Sequence, residues 1–417
     1  MREVVIIGGG AAGCFCAAEV SSLHPDWRVT VLEAGPRLMA KLAVTGGGRC
    51  NITNSFAAVC GAPPCGPSVP SDRSATDLRR VSASALATVY PRGATLLRHL
   101  LARFGQWDCT DWFGSRGVTF TVQQDQCVFP VSQDAMQIVR TLERAMRDGG
   151  VKVLCGCKVE AIGPDLSLRI SGSAVLRPDA IVLATGGGTA HLLAGTGIEL
   201  VPDVPSLFTL KIADEGLRSL MGTVVENVAL GLAGTRFHST GTLLLTDWGV
   251  SGPATLRLSS YAARHLAECG WKGTLLVNWL NATETSVRER LAEMSGSGRT
   301  VANSHPAELS DRLWKYLAGR AGIAPERRWA ELGSKGISRL VNVLISDSYV
   351  VCGRARFKEE FVTCGGVSLK EIQADTLESR KIPGLYFAGE VLDVDAVTGG
   401  YNLQAAWSTA WTVAHSL

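Results

Sequence analysis

The fold of this chain is decided near its start, where residues 4–13 read Val-Val-Ile-Ile-Gly-Gly-Gly-Ala-Ala-Gly. The apolar, largely β-branched run 4–7 predicts a buried strand, and the alanine-rich stretch after the glycines predicts a helix to about Val20. Residues 29–33, Val-Thr-Val-Leu-Glu, predict a second strand. A G-x-G-x-x-G spacing at a strand-to-helix turn, with an acid ending the next strand, is typical of a Rossmann-type dinucleotide-binding unit.

Each residue type in this turn suits a dinucleotide. Gly8 permits the tight turn, Gly10 lets the backbone approach a pyrophosphate, and Gly13 lets helix and strand pack closely. The helix N-terminus offers unpaired N–H groups to the phosphates, and Glu33 can accept hydrogen bonds from a ribose diol. A glycine-rich turn without a ligand is the alternative, but the strands, helix and acid in their places favour dinucleotide binding. The motif's place at the N-terminus favours FAD over NAD by analogy of fold. The cofactor contacts predicted here are Gly8, Gly10, Ala11, Ala12, Gly13 and Glu33.

Composition excludes several classes of protein. With 46% hydrophobic and 19% charged residues over 417 positions, the chain can form two or three folded domains and is not disordered. A net charge of +3 does not indicate a strongly basic nucleic-acid binder, although a local basic face remains compatible with it. The 12 cysteines include no CxxC, which argues against a zinc ribbon, a thioredoxin motif or a cysteine-ligated cluster. We therefore expect a cytoplasmic protein with no membrane span and no metal.

Two further glycine turns point to the same ligand. Thr-Gly-Gly recurs at 45, 185 and 398, and the second copy follows the apolar strand 180–184. We expect Thr185 and Gly186 to contact the cofactor, since three such turns suggest several backbone segments converging on one extended molecule.

The order of elements predicts an interrupted dinucleotide domain. Residues 1–204 and 346–417 form the predicted Rossmann-type FAD-binding domain. The intervening 205–283 is predicted to be β-rich, and 284–345 to be a helical subdomain. Within 257–335 there are 12 Lys or Arg and 8 Asp or Glu. The simplest interpretation of this excess is a solvated helical face, and the alternative is a surface that binds an anionic partner.

Taken together, the motifs resemble the BaiN-like flavoprotein family, the aminoacetone-oxidase-family FAD-binding enzymes, over nearly the whole chain. The motifs that carry the resemblance are V-I-I-G-G-G-A-A-G at 5–13, T-G-G-G-R-C-N-I-T-N at 45–54, L-A-T-G-G at 183–187, G-V-S-G-P at 249–253, V-T-C-G-G-V-S-L at 362–369 and G-L-Y-F-A-G-E-V-L-D-V-D-A-V-T-G-G-Y-N-L-Q at 384–404. The resemblance implies an α/β fold of the two-dinucleotide-binding flavoprotein kind, with an inserted β-rich plus helical substrate domain.

The resemblance also implies further cofactor contacts. One group would lie along the cofactor after the first strand pair, and Val159 would meet the adenine through its backbone. Another group would hold the ribityl-pyrophosphate and the ring edge, where the N–H groups of a capped helix can stabilise negative charge on the reduced flavin. The group along the cofactor is Lys41, Gly48, Arg49, Cys50 and Asn51. The ribityl-pyrophosphate would be held by Gly389 and Glu390 with Asp393 beside them, and the ring edge would be met by Gly399, Gly400, Tyr401 and Asn402. A redox-active cysteine pair is not expected, because the fifth residue after Cys50 is Ser55.

The predicted substrate half departs from the family pattern. The family's Thr-His-aromatic-Gly is Thr246-Asp247-Trp248-Gly249 here, and Asp247 cannot act as a cation near neutral pH. We take Thr246, Asp247 and Trp248 as candidate substrate-side residues, near which we expect the acceptor to bind. The sequence does not identify the catalytic residues.

Several functions remain open at this point. The leading one is an FAD-dependent oxidoreductase that takes electrons from NADH or NADPH, bound transiently, and passes a hydride to an unsaturated small-molecule or nucleoside-type acceptor. The alternatives are reduction of a uridine in ribosomal RNA, which makes RNA a candidate partner, an amine oxidase that uses O2, and a flavin-binding protein without turnover.

Overall fold

A computed structural model describes residues 1–172, 175–295, 298–355 and 362–417. The chain divides into two compact units, Met1–Val204 with Val362–Leu417, and Pro205–Phe361, called unit 1 and unit 2 below.

The strands are, in chain order, β1 (Glu3–Ile7), β2 (Arg28–Glu33), β3 (Thr53–Asn54), β4 (Phe120–Val122), β5 (Cys127–Pro130), β6 (Lys152–Cys155), β7 (Val159–Ile162), β8 (Leu168–Ile170), β9 (Ala180–Leu183), β10 (Leu200–Ser206), β11 (Leu210–Ile212), β12 (Val224–Leu232), β13 (His238–Thr246), β14 (Gly249–Ser251), β15 (Gly273–Asn278), β16 (Asp347–Arg354), β17 (Val362–Val367) and β18 (Leu385–Phe387).

The helices are α1 (Ala11–Leu23), α2 (Thr45–Gly48), α3 (Ala57–Cys60), α4 (Ala83–Leu86), α5 (Ala94–Leu101), α6 (Gln106–Gly114), α7 (Ala135–Asp148), α8 (Glu215–Arg218), α9 (Pro253–Tyr261), α10 (Ala263–Glu268), α11 (Glu284–Ser295), α12 (Asp311–Arg320), α13 (Gly333–Ser346) and α14 (Tyr401–Ala414).

Unit 1 is built on a five-stranded parallel sheet of order β18-β9-β1-β2-β6. The predicted strand-turn-helix-strand unit is present as β1, α1 and β2, with Ile7 opposite Leu32. Helix α1 is buried along most of its length because it lies between the sheet and neighbouring helices, among them α14 and α7. Its alanines and cysteines are small enough for that close packing.

The carboxyl ends of the parallel strands lie at one edge of this sheet. Glycine turns follow β1, β9 and β18, and Glu33 ends β2. In open α/β sheets ligands bind outside the carboxyl ends of the strands. This edge, called the carboxyl edge below, is therefore the natural position for a cofactor.

Unit 2 contains a closed barrel of order β11-β14-β13-β12-β15-β16. The helices α9 to α13 share one apolar core with the barrel strands, which includes the fully buried Trp279, Trp314 and Trp329.

The segment boundaries differ from the predicted ones at two points. Residues 347–354 form β16, which pairs with β11 and β15 and so belongs to the barrel of unit 2 and not to the FAD-binding domain. The helices of 284–345 are not a separate subdomain, because they are buried against the barrel strands. Sequence pattern could not place these boundaries, since both depend on pairing and packing over long separations. Residues 356–361 of the predicted C-terminal segment lie outside the described residues.

No helix of the described residues is long and apolar enough to cross a membrane.

Candidate functional site

The first glycine turn has three glycines with three different surroundings. Gly8 has φ +105°, and a Cβ there would lie 2.5 Å from the carbonyl oxygen of Ala184. A Cβ on Gly13 would lie 1.9 Å from the carbonyl oxygen of Gly8, so helix and turn touch. At Gly10, in contrast, an added Cβ would meet nothing within 4 Å. The backbone is thus closed on the protein side and open at Gly10, as a phosphate-binding turn requires.

Glu33 is positioned by the backbone around it. Its Oε2 accepts a hydrogen bond from the N–H of Gly9 at 2.7 Å, and its Oε1 accepts one from the N–H of Gly35 at 2.6 Å. Each carboxylate oxygen keeps a lone pair for a further donor. Cys157 donates its N–H to the carbonyl oxygen of Glu33 at 2.9 Å, which brings the strand of buried Val159 into the same region.

Glu390 connects the glycine turns after β9 and β18. Its Oε1 accepts the N–H of Thr363 at 2.7 Å, and its Oε2 lies 3.7 Å from the position of a Cβ on Gly186. Burial raises the pKa of the Glu390 carboxyl, and the nearby positive charge of Lys41 partly opposes that rise. The adjacent Gly389 has φ +78° and lies against α1, since a Cβ on Gly389 would be 2.9 Å from the Cβ of Ala12.

Two further predicted cofactor contacts, Thr185 and Asp393, lie near these turns. Thr185 is exposed beside Gly186, and Asp393 is half-buried with its N–H on the carbonyl oxygen of Val367 at 3.0 Å.

The turn at 399–402 and the segment 51–54 hold each other. Asn54 donates its side-chain N–H to the carbonyl oxygen of Gly399 at 3.0 Å. The Asn51 amide, oriented to satisfy both its ends, donates to the carbonyl oxygen of Thr53 at 2.8 Å and accepts the N–H of Gly400 at 3.0 Å. A Cβ on Gly400 would lie 2.4 Å from that same carbonyl oxygen, so only glycine permits this contact.

The two asparagines near this turn have partners inside the protein. The N–H of Gly400 donates to the amide oxygen of Asn51. The Asn402 amide donates to the carbonyl oxygen of Ala396 at 3.0 Å and accepts its N–H at 2.9 Å. Both asparagines therefore fix the turn through side-chain hydrogen bonds within the protein. In the first turn of α14 the N–H groups of Asn402 and Leu403 have no carbonyl partner within the helix.

The loop before Cys50 is a second open glycine surface. Gly47 and Gly48 have φ +70° and +82°, and a Cβ on either would meet nothing within 4 Å. Arg49 is exposed, lies 4.5 Å from the ring centre of Phe129, and donates from Nε to the carbonyl oxygen of Gly46 at 3.2 Å. Such an oriented cation beside open backbone suits an anionic or carbonyl oxygen.

Cys50 itself is fully buried, with φ +61°. Burial raises the pKa of its thiol to about 12. The thiol therefore stays protonated at neutral pH, which agrees with the expected absence of redox chemistry at this position.

Thr246, Asp247 and Trp248 lie in unit 2, at the tip of the β13–β14 hairpin, where Thr246 pairs with Gly249. Asp247 is exposed at this tip. Trp248 donates from Nε1 to the Thr209 hydroxyl at 3.1 Å, so the indole is fixed while the carboxylate faces outward.

Sequence reasoning missed two features. Thr363 binds Glu390 through its backbone, for which side-chain patterns give no signal. Arg92 forms a buried bidentate ion pair with Asp395, whose side chains are 11% and 1% exposed. Nothing in the sequence links two residues some three hundred positions apart.

The residues at the carboxyl edge fit a dinucleotide. Open backbone at Gly10 suits a pyrophosphate, Glu33 keeps acceptor capacity for a ribose, and the half-buried carboxylate of Glu390 suits a hydroxyl donor. Within the described ranges no group of three or more His, Cys, Asp or Glu side chains could hold a metal ion.

Comparisons with known proteins identify a family and several similar proteins. A family model described as HI0933-like protein Rossmann domain matches residues 2–60 and 75–416. The ribosomal RNA dihydrouridine synthase of Escherichia coli strain K12 is 30% identical over 436 aligned residues, which cover 100% of this chain and 98% of that protein. The 3-dehydro-bile acid delta(4,6)-reductase of Clostridium scindens is 28% identical, with 99% and 98% covered. Among solved structures, the 3-ketosteroid delta1-dehydrogenase of Sterolibacterium denitrificans has a TM-score of 0.49 at 12% identity, covering 100% of this chain and 99% of that one.

Proposed function

The chain belongs to the HI0933-like Rossmann family and is an FAD-dependent oxidoreductase, and from this premise we propose that it reduces a carbon–carbon double bond conjugated to a carbonyl group, using NADH or NADPH as electron donor. The family match confirms the predicted resemblance to the BaiN-like flavoproteins and the predicted Rossmann-type fold.

One observation carries this proposal. Two relatives that align with this chain over nearly their whole length have names that describe the same kind of reaction. Forming dihydrouridine saturates the double bond of the uracil ring that is conjugated to a carbonyl. A delta(4,6)-reductase of a 3-dehydro steroid saturates a double bond conjugated to the 3-keto group. The two substrates differ in size and charge, yet the reacting group is the same.

The chain's own residues would divide the work as follows. The open turn at Gly10 would bind the pyrophosphate of FAD, Glu33 the adenosine ribose, and Glu390 a ribityl hydroxyl. FAD held in this way and reduced by NADH or NADPH would supply a hydride for the carbon distant from the carbonyl, and a proton from solvent would complete the adjacent carbon. The N–H groups of Asn402 and Leu403, near the start of α14, would stabilise negative charge at the ring edge.

Among acceptors of this class we favour a uridine in ribosomal RNA. The support is the relative at 30% identity, which aligns with this chain from end to end. The exposed carboxylate of Asp247 disfavours a polyanion near the β13–β14 hairpin, so binding of RNA requires positive charge elsewhere on the chain. A small conjugated ketone, as in the bile-acid relative, is the second candidate because it places no such requirement on the surface.

The test is a pair of separated half-reactions. Purified protein carrying FAD is mixed anaerobically with NADH or NADPH, and bleaching of the flavin absorbance measures reduction. The reduced protein is then mixed with an RNA hairpin of ribosomal sequence or with a 4-en-3-one steroid. We expect reduction by one of the two nucleotides and anaerobic reoxidation by at least one acceptor.

Two outcomes would contradict the proposal. Reoxidation by O2 alone, with stoichiometric peroxide, would indicate an oxidase. Bound FAD that neither nucleotide reduces would indicate a flavin-binding protein without turnover.

A further inference from the structure

One face of unit 2 carries positive charge that the rest of the unit does not neutralise. Between residues 312 and 339 the sequence has seven Lys or Arg and two Asp or Glu. Four of the cations, Arg312 and Lys315 on α12 with Lys335 and Arg339 on α13, are exposed and form what we call the α12–α13 basic face.

Within each helix the two cations are neighbours because of helix geometry. Arg312, Lys315 and the exposed Gly319 follow one another at spacings that share a helix face, and Lys335 and Arg339 are four residues apart. The helices α12 and α13 contact each other, and a Cβ on Gly322, just after α12, would lie 3.2 Å from Nη1 of Arg339.

The opposite sides of both helices fix this orientation. Residues 313, 314, 317 and 318 of α12 are buried in the core of unit 2, as are residues 340, 341 and 344 of α13. The charged sides must therefore face solvent, as does Gly319 of α12, where an added Cβ would meet nothing within 4 Å.

Ion pairing distinguishes the four cations from some other arginines of unit 2. Arg290 on α11 pairs with Glu308, and Arg320 on α12 lies between Asp214 and Asp347. In the part of the chain that the structure describes, none of the four cations has a carboxylate within ion-pair distance. Arg312 donates to the carbonyl oxygen of Ser219 at 3.0 Å, which holds the side chain without removing its charge. The only acids between 312 and 339 are Glu326 and Glu331, and both are exposed.

We propose that the α12–α13 basic face binds the phosphate backbone of the RNA substrate. This inference rests on the proposed reduction of a uridine and supplies the positive charge that Asp247 makes necessary. Lys and Arg that bind phosphates release counterions, so they contribute affinity without reading sequence. The face would therefore attach RNA, whereas choice of the uridine belongs to other residues.

The experiment compares two sets of four neutral substitutions. The face variant is R312Q/K315Q/K335Q/R339Q. The matched control is R140Q/R144Q/R147Q/K152Q, which removes four exposed cations from α7 and β6 in unit 1. Binding of a fluorescein-labelled RNA hairpin of ribosomal sequence is followed by anisotropy over a range of salt concentrations. Flavin absorbance and thermal unfolding establish that each variant is folded, and the double variant K335Q/R339Q replaces the face variant if it is not.

We expect the face variant to weaken RNA binding at least about tenfold at equal salt, and to reduce the slope of log affinity against log salt by ~3, at ~0.7 per lost phosphate contact. The control variant should stay within about threefold of the wild type, since a change in net charge alone acts only at long range. Equal losses in the two variants, or no RNA binding by the wild type, would overturn the proposal. So would equally face-dependent binding of a polyglutamate peptide, because it would reveal an unspecific anion surface.

Reoxidation of the flavin by a small-molecule acceptor tests the proposed reaction separately from the proposed RNA-binding face. Reoxidation by the 4-en-3-one steroid should be the same in the face variant and the wild type. If no acceptor reoxidises the flavin while RNA binding still depends on the face, the reaction is wrong and the surface stands.

Discussion

At the residue scale, the G-x-G-x-x-G turn separates a requirement for ligand from a requirement for folding. Gly8 and Gly13 are in contact with backbone atoms of the protein, whereas the Cβ direction of Gly10 is open. Substitutions at Gly10 and Gly13 should therefore fail in different ways, as the separate roles of these glycines in the motif imply.

Gly10→Val should weaken FAD binding by at least about a hundredfold, or ~2.7 kcal/mol, because the added methyl groups occupy the side from which a phosphate approaches. The folded apoprotein should keep its thermal stability. Gly13→Ala is the matched control, since its Cβ overlaps the Gly8 carbonyl oxygen and should cost about 3 kcal/mol of unfolding free energy. Titration with FAD and urea unfolding distinguish the two, and loss of folding in Gly10→Val would contradict the assignment.

Cys50→Ser should leave reduction of the flavin by NADH or NADPH within about tenfold of the wild type, or ~1.4 kcal/mol of activation free energy. The buried thiol has a pKa of about 12, and so does not supply a thiolate at neutral pH. Stopped-flow absorbance measures the rate. A loss beyond about a hundredfold with FAD still bound, ~2.7 kcal/mol, would show a redox role for this cysteine.

The same thiol gives a prediction for alkaline pH. Its pKa rises from 9.0 to about 12 on folding, so the unfolded chain loses this proton first as the pH increases. The contribution of the protonated Cys50 thiol to the free energy of unfolding is therefore fully present below pH 9 and is lost between pH 9 and about 12. The free energy of unfolding of Cys50→Ser should therefore fall less steeply than that of the wild type above pH 9, as urea titrations at several pH values would measure. Parallel profiles would show that burial at this position does not control the titration.

At the scale of elements, the segment 392–402 is held from several sides in unit 1. The N–H of Val397 donates to the carbonyl oxygen of Val89, Tyr90 donates its hydroxyl to the carbonyl oxygen of Tyr401, and Asn402 binds Ala396. The Arg92–Asp395 pair lies within this network. A buried ion pair adds little stability over an apolar pair of similar size, whereas removal of one partner leaves a buried charge.

Arg92→Ala should therefore lower the free energy of unfolding by about 3–5 kcal/mol. Arg92→Met combined with Asp395→Leu should recover most of that loss, because neither charge then remains buried. Removing an exposed bidentate pair through Arg73→Ala should cost no more than about 1 kcal/mol. Urea unfolding of the three variants measures these differences, and a double variant no more stable than Arg92→Ala would show that packing and not charge determines the loss.

At the scale of the whole molecule, cofactor-binding motifs lie in unit 1 and the departures from the family pattern around Asp247 lie in unit 2. This division suggests that substitutions in the two units affect different half-reactions. A parallel sheet with glycine turns at its carboxyl edge binds a dinucleotide by backbone groups, which few substitutions alter. A hairpin tip presents side chains, which change readily.

Asp247→Asn should leave FAD affinity and reduction by NADH or NADPH within about threefold of the wild type, ~0.7 kcal/mol, but should change reoxidation by the acceptor. The substitution removes one negative charge from an exposed hairpin tip while keeping a side chain of the same shape. Comparison of the two half-reactions by stopped flow is the measurement. A response confined to the reductive half would show that the acceptor does not bind near Thr246–Trp248.

By itself, the sequence determined the Rossmann-type fold, FAD as cofactor and the family, because these depend on local signals. A strand, a glycine turn and an acid at fixed spacing specify backbone conformation within some thirty residues, and Gly8, Gly13 and Glu33 have the contacts that such a unit needs. The predicted α14 also begins at the expected glycine turn.

Only the tertiary structure decided how distant segments use their polar groups. The sequence predicts Asn51 and Asn402 near the cofactor, and only the folded chain shows that their amides fix the turn at 399–402. The ion pair of Arg92 and Asp395, and the barrel that takes up β16, join residues far apart in the chain. Hydrogen bonds and ion pairs are satisfied by whatever group folding brings within about 3 Å, and a linear pattern carries no record of which group that is.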